Sequence, residues 1–197
     1  MDRLELLANL RTAMPSEASP THCPKFLALL AEFYAALPDE PPTDALLIDP
    51  QTMPQPQRRL LFHTRDMTST LSAFHGEPVV LRVLHRVLEP GTLARHIVLE
   101  TERTGRPVEY GAIRIQLRAL PEDARNEVIE CRKPLGGILN QHGVAYACCP
   151  GGFFAVRPNE LMRHALRLER PRVLYGRCNC LSGASGEPIA EVVEILP

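Results

Sequence analysis

The chain has 197 residues, of which 45% are hydrophobic and 23% are charged, and its formal net charge at pH 7 is −1. This length allows one well-buried domain, and the composition is that of an ordinary globular protein. A charge so close to zero predicts no nucleic-acid partner and no attraction to an acidic membrane. There is no run of eighteen apolar residues and no secretory signal pattern at the start, so we expect a cytoplasmic protein without a membrane span.

The six cysteines occur partly in close pairs, Cys148 with Cys149 and Cys178 with Cys180. Adjacent cysteines lack the spacing of two to four residues that a zinc knuckle requires. A disulfide framework is rare in a cytosolic chain of this length. We therefore interpret these cysteines as reduced thiols, and we expect no metal site.

The first 57 residues differ from the rest because they contain nine of the 19 prolines. An apolar stripe between residues 23 and 37 predicts one helix, with Pro24 in its first turn and Pro38 at its end. This region has too few apolar residues for a core of its own. We therefore expect an N-terminal extension with one helix at residues 1–57 and a main domain at residues 58–197.

The main domain combines two kinds of periodicity. Segments rich in Val, Leu and Ile predict strands at residues 78–88, 94–102, 107–117, 172–181 and 188–196. Amphipathic segments and helix-start signals predict helices at residues 67–74, 121–131, 134–142 and 158–168, with Asp66 as the cap of the first. The Thr104-Gly105 turn joins two of the strands as an antiparallel hairpin. This order of elements predicts an α+β fold with one antiparallel sheet.

Five motifs follow one another between about residue 60 and the end of the chain. They are DMT at 66–68, LARHIVL at 93–99, KPLGGIL at 133–139, YGRCNCLSG at 175–183 and GEPIAEVVEILP at 186–197. In this order and spacing they resemble the chorismate pyruvate-lyase-like family, both the ubiquinone-pathway enzymes and their actinobacterial and archaeal relatives. The first 57 residues lie outside the resemblance.

The resemblance implies a fold and a reaction. The fold is a single antiparallel sheet of about six strands, with helices that close over an internal ligand cavity. The reaction removes pyruvate from chorismate and leaves a hydroxybenzoate, most simply 4-hydroxybenzoate, and it uses no metal or organic cofactor. Such a site must bind a small dianion and manage one proton, which requires arginines, a helix N-terminus and a carboxyl group.

Glu194 is the carboxylate that the resemblance selects as the catalytic residue. Its neighbours on the same face of the last strand are Ala190, Val192 and Leu196. A carboxyl group among apolar neighbours suits a general acid at the ether oxygen, whereas a solvated glutamate near the C-terminus is the alternative. Glu191, on the opposite face of the strand, is the competing carboxylate.

Two helix starts are candidate ligand contacts through their backbone. Pro134 opens a helix where the N–H groups of Leu135 and Gly136 are free to bind an anion. The resemblance implies a backbone contact to the ligand for Leu135 and also for Met67. The alternatives are an ordinary helix start and a methionine that fills the core.

Three strand arginines are candidates for binding the substrate carboxylates: Arg86, Arg95 and Arg114. The resemblance matches Arg95 directly, whereas the carboxylate-binding arginine of the ubiquinone-pathway enzymes falls on Ala112. Arg114 lies two residues further on and on the same face, so it could supply the clamp from a shifted position. A solvated arginine is the alternative for Arg114. Arg177 is a further candidate for the cavity wall.

Other functions stay open beside the lyase. A non-catalytic module that binds an aromatic acid, such as the effector domain of some bacterial regulators, would tolerate alanine at position 112, although residues 1–57 predict no helix-turn-helix. A family member that acts on a related enolpyruvyl or aromatic acid in a secondary pathway is the third possibility. Each of these hypotheses has a small aromatic or enolpyruvyl carboxylate as the ligand. The sequence does not determine the oligomeric state.

Overall fold

The computed structural model describes residues 45–197 and, before them, Ala31, Glu32, Tyr34, Ala35 and Pro42. Most of the helix predicted between residues 23 and 37 therefore lies outside the described residues. The segment just before residue 58 contributes a strand to the sheet and a short 3-10 turn, Pro50–Thr52. Within the described residues, no helix is long and apolar enough to cross a membrane.

Seven strands form one antiparallel sheet in the order β1-β5-β6-β7-β4-β3-β2. The strands are β1 (Ala45–Leu47), β2 (Val79–Glu89), β3 (Thr92–Thr101), β4 (Pro107–Gln116), β5 (Tyr146–Val156), β6 (Leu174–Gly183) and β7 (Pro188–Leu196). The helices within residues 45–197 are α1 (Gln57–Leu61), α2 (Met67–His75), α3 (Glu122–Glu130), α4 (Leu135–Gln141) and α5 (Glu160–Ala165). The predicted α+β class with a single antiparallel sheet is confirmed, with seven strands where about six were expected.

The sequence did not predict β5, which pairs with both β1 and β6. Its central Pro150, Gly151 and Gly152 are residues that strands normally avoid. The structure accommodates them with a shift in the β5–β6 register between Pro150 and Gly152. Beyond this bulge, Phe154 and Val156 are buried and anchor the strand in the core.

The sheet has helices on both faces, so both faces are buried. One face packs against α5 through Tyr110, Ala112, Val193, Ile195 and Met162. We call it the opposite face. The other face, which we call the cavity face, carries two separate apolar clusters. One cluster joins Ile113, Ile115 and Ala190 to α3 and α4, and the other joins Ile97, Leu99 and Leu196 to α1 and α2.

The starts of α2 and α4 meet above the cavity face. The Asp66 side chain caps α2 as predicted, because it accepts a hydrogen bond from the Ser69 N–H at 2.7 Å. Helix α4 begins after Pro134, which provides no side-chain cap. A β-carbon on Gly136 would lie only 3.1 Å from Asp66 Oδ1, so glycine allows the two helix starts to approach closely.

Candidate functional site

A cavity of about 70 Å³ lies between the two clusters of the cavity face, beneath the starts of α2 and α4. The pairing of the strands places the side chains of the cavity floor in rows. The first row is Arg95, Ile113, Val192 and Asn179, the second is Ile97, Gly111, Glu194 and Arg177, and the third begins with Leu99 and Glu109. Consecutive rows are ~7 Å apart, since side chains on one face recur every second residue.

Glu194 lies in the cavity, is 5% exposed and forms a buried ion pair. Its Oε2 accepts a hydrogen bond from Nε of Arg177, whose side chain is fully buried. Nη1 of Arg177 donates to the carbonyl oxygens of Leu61 at 3.0 Å and His63 at 2.7 Å. Arg177 therefore fixes the segment between α1 and α2 to the sheet and neutralises Glu194 at the same time.

Glu191, the competing carboxylate, lies on the opposite face of β7. Its Oε2 is 3.6 Å from Nη1 of Arg114, and both side chains are partly exposed to water. The two glutamates therefore lie on opposite faces of β7, as the alternation of side chains along the strand predicted. The catalytic role of Glu194 stays a prediction.

Glu109 is a second buried carboxyl group in the cavity, and the sequence analysis missed it. It is 3% exposed, and its Oε2 has no hydrogen-bond partner within the described part of the chain. Its Oε1 lies 3.1 Å from where a β-carbon of Gly111 would be, so the carboxyl group occupies space that this glycine leaves open.

Burial raises the pKa of Glu109 well above its ordinary value, and the neighbouring Glu194 carboxylate raises it further. The charge of Arg177 acts in the other direction with a smaller effect. The shift favours the protonated form of Glu109, which can donate a hydrogen bond. The signal was present in the sequence, since Glu109 shares the apolar face of the third predicted strand with Gly111 and Ile113.

Arg95 lines the cavity and is 1% exposed. Its Nη1 approaches the Lys133 carbonyl oxygen at 3.5 Å, and its Nε has no hydrogen-bond partner among the described residues. Arg95 takes part in none of the ion pairs among the residues that the structure describes. Burial lowers the pKa of Arg95, and the adjacent Cys131 counteracts this effect. The cavity thus contains a buried cation without a counterion from the described chain.

Arg114 and Arg86 were expected in the site, and the structure places both elsewhere. Gly111 and Ile113 face the cavity, so the side chain of Arg114 projects from the opposite face, where it pairs with Glu32 and Glu191. Ala112, where the resemblance places the family's arginine, also packs into the core of the opposite face. Arg86 is exposed on the edge strand β2 and donates to the backbone of α3.

Met67, Leu135 and Gly136 line the roof of the cavity. Met67 and Leu135 are each 4% exposed and also belong to the apolar clusters of the cavity face. The Asp66 carboxylate lies beside Gly136, at the start of α4. Because a carboxylate already occupies this position, Arg95 is the better placed group for a ligand anion. Backbone contacts from these residues to a ligand stay predictions.

No family model matches the chain, and no curated protein matches it. Solved structures do match its fold. PhnF from Mycobacterium smegmatis has a TM-score of 0.53 at 11% identity, and the match covers 69% of this chain and 65% of that protein. The chain therefore spans about two thirds of the length of PhnF.

A separate structure of the effector domain of PhnF has a TM-score of 0.51 at 11% identity, and the match covers 66% of this chain and 87% of the domain. A more distant match is the ligand-binding domain of a Bordetella bronchiseptica protein assigned to the GntR family of transcriptional regulators, with a TM-score of 0.47 at 13% identity over 60% of this chain and 85% of that domain. Likeness at this identity concerns the fold alone, and the fold is similar to that of the PhnF effector domain.

Proposed function

We propose that this chain is a ligand-binding domain whose cavity takes up a small carboxylic acid. The observation that carries the proposal is Arg95, a buried guanidinium that lines the cavity and has no counterion among the described residues. Burying an unpaired ion costs several kcal/mol. A ligand carboxylate offsets this cost, because guanidinium and carboxylate groups match in geometry and form two parallel hydrogen bonds.

The rest of the cavity suits the body of such a ligand. Leu81, Ile97 and Leu181 give it apolar walls, and the few polar groups converge from different strands, which is typical of small-molecule sites. The similarity of the fold to the PhnF effector domain supports a binding role as well. An apolar cavity of about 150 Å³ binds benzene, so a ring-bearing acid must displace the roof residues Met67 and Leu135 to fit here.

Calorimetric titration tests the proposal. Benzoate and 4-hydroxybenzoate should bind, whereas the uncharged benzamide should bind at least tenfold more weakly because it gives Arg95 no charge. Arg95→Met, which keeps the length of the side chain, should weaken benzoate binding at least tenfold. Arg114→Met on the opposite face is the matched control and should leave binding unchanged. If benzamide binds as tightly as benzoate, the proposal is wrong.

A chorismate lyase is the second candidate function. The observation that favours it is a pair of buried carboxyl groups in one cavity, the ion-paired Glu194 and Glu109, whose pKa is raised by burial. A carboxyl group with a raised pKa can act as a general acid at the ether oxygen of chorismate. Against it stands the charge of the substrate, because chorismate is a dianion, whereas Arg95 is the one buried arginine without an ion pair in the part of the chain that the structure describes.

Pyruvate release from chorismate distinguishes the two candidates. If the chain is a lyase, pyruvate forms above background and Glu194→Gln lowers the rate at least tenfold, about 1.4 kcal/mol of barrier. Glu191→Gln, on the opposite face, is the control and should have no effect. Carboxylate binding without pyruvate release would leave the binding domain as the function.

A further inference from the structure

Glu109 has no role in the carboxylate contact made by Arg95, yet its side chain lines the same cavity. It is 3% exposed, and its Oε2 has no hydrogen-bond partner within the described residues. A buried carboxyl oxygen without a partner is costly, which suggests that its partner is a ligand. Gly111 supports this arrangement, because a β-carbon there would crowd the Glu109 carboxyl group.

We propose that Glu109 determines specificity: through Oε2 it hydrogen-bonds a neutral polar group of a ligand whose single carboxylate lies against Arg95. The cavity then prefers monoanionic acids that carry a hydroxyl or carbonyl group at the far end, and it rejects dianions. This inference rests on the function proposed above and defines the class of ligand.

The charges around the cavity support a single negative charge on the ligand. The charges of Arg177 and Glu194 cancel in their ion pair, and burial raises the pKa of Glu109 well above the ordinary value, which favours its neutral form. Asp66 adds a carboxylate at the roof, where it caps α2. Among the described residues, Arg95 is therefore the buried positive charge that is left for a ligand, and a second ligand carboxylate would lie among Glu109, Glu194 and Asp66.

The distance between the rows of side chains on the cavity floor fits a ligand that contacts both Arg95 and Glu109. Arg95 lies in the first row, and the Glu109 carboxyl group reaches back over Gly111 into the second row. The rows are ~7 Å apart, a span of the order of one aromatic ring with its substituents. Asn179 Oδ1, in the row of Arg95, has no hydrogen-bond partner in the described chain and can accept from a ligand donor.

Three para-substituted benzoates test the inference by calorimetry at neutral pH. 4-Hydroxybenzoate carries one negative charge and a neutral hydroxyl group that can accept a hydrogen bond. Benzoate lacks this hydroxyl group, and terephthalate has a second carboxylate in its place. The wild-type protein should bind 4-hydroxybenzoate at least threefold more tightly than benzoate and at least tenfold more tightly than terephthalate. Glu109→Gln should keep this order, because the amide still donates a hydrogen bond. Glu109→Leu should bring 4-hydroxybenzoate down to the affinity of benzoate.

The outcomes separate this inference from the proposed function. If terephthalate binds the wild-type protein as tightly as 4-hydroxybenzoate, the inference is wrong while carboxylate binding stands, and this comparison needs no variant to fold. A preference for 4-hydroxybenzoate over benzoate that survives in a folded Glu109→Leu protein would also overturn it. If none of the three acids binds, or if Arg95→Met binds benzoate as tightly as the wild type, the proposed function fails and this inference fails with it.

Discussion

Both faces of the sheet bury polar side chains, but among the described residues only the cavity face buries charge. On the opposite face the deepest polar groups are neutral. The Tyr34 and Tyr110 hydroxyl groups are 2.7 Å apart, and the edge of His96 lies against the Tyr110 ring at a centroid distance of 4.4 Å. Burial, together with the charge of His85, lowers the pKa of His96 to about 4, so it is uncharged at neutral pH. The ion pair of that face, Arg114 with Glu191, lies where water reaches it.

On the cavity face, Arg95, Arg177 and Glu194 are each at most 5% exposed. Replacing buried charges by apolar side chains often stabilises a protein, so such groups are weak evidence for a structural role. The opposite face is therefore organised for stability, whereas the buried charges of the cavity face fit the ligand-binding role proposed above. Arg177 is the exception, because its hydrogen bonds to backbone carbonyls also hold the segment between α1 and α2.

The largest effect should come from the buried ion pair. Arg177→Met leaves Glu194 as an unpaired buried charge and removes the hydrogen bonds to the Leu61 and His63 carbonyls. We expect a loss of about 3–5 kcal/mol in the free energy of unfolding, measured by urea denaturation. Arg114→Met, which breaks a partly exposed pair, should cost less than about 1 kcal/mol. Equal losses in the two variants would contradict the distinction between the faces.

The neutral His96 on the opposite face should make the stability of the protein depend on pH. The unfolded chain binds a proton at His96 near pH 6.5, whereas the folded protein binds it only near pH 4. The contribution is therefore complete above pH 6.5 and is lost as the pH falls to 4, a change of about 3 kcal/mol. His96→Phe should remove this dependence. The measurement is the free energy of unfolding of the wild type and of the variant, compared between pH 4 and pH 6.5. Parallel curves would show that His96 is charged in the folded protein.

The smallest effect should come from Glu109, and it should have the opposite sign. Below its ordinary pKa of 4.5 Glu109 is protonated in both states, and above it only the folded protein keeps the proton. The wild type therefore loses stability as the pH rises from 4.5, and Glu109→Gln should not. The variant should gain stability relative to the wild type between pH 4.5 and 7.5, measured by thermal or urea unfolding. A constant difference across this range would mean that Glu109 is ionised.

Much of the fold could be predicted from local patterns, and the exceptions have physical causes. β2, β3, β4 and β7 follow from their Val, Leu and Ile content, and the Asp66 cap was predicted correctly. β6 was also predicted, although it contains only two of these residues, Leu174 and Leu181. β5 was missed because Pro150 and the two following glycines resemble a loop, and only pairing with its neighbours makes this segment a strand.

The site was harder to predict because helices cover both faces of the sheet. Alternation along β4 separated the side chains into two sets but did not show which set faced the cavity, so Arg114 was placed in the site and Glu109 was missed. Alternation along β7 separated Glu194 from Glu191, and the resemblance to the lyase family then selected Glu194. The pairing of Arg177 with Glu194 and with the Leu61 carbonyl joins residues 17 and 116 positions apart, which no local pattern predicts.

Urea unfolding of the wild type and Arg95→Met, each with and without 4-hydroxybenzoate, tests most directly whether Arg95 serves a ligand. Without ligand, the variant should be at least as stable as the wild type, because methionine removes a buried unpaired charge. Ligand at 100 times its Kd should raise the free energy of unfolding of the wild type by about 2.7 kcal/mol and should raise that of the variant far less. A variant that is less stable without ligand, or that gains as much from ligand as the wild type, would contradict a ligand-binding role for Arg95.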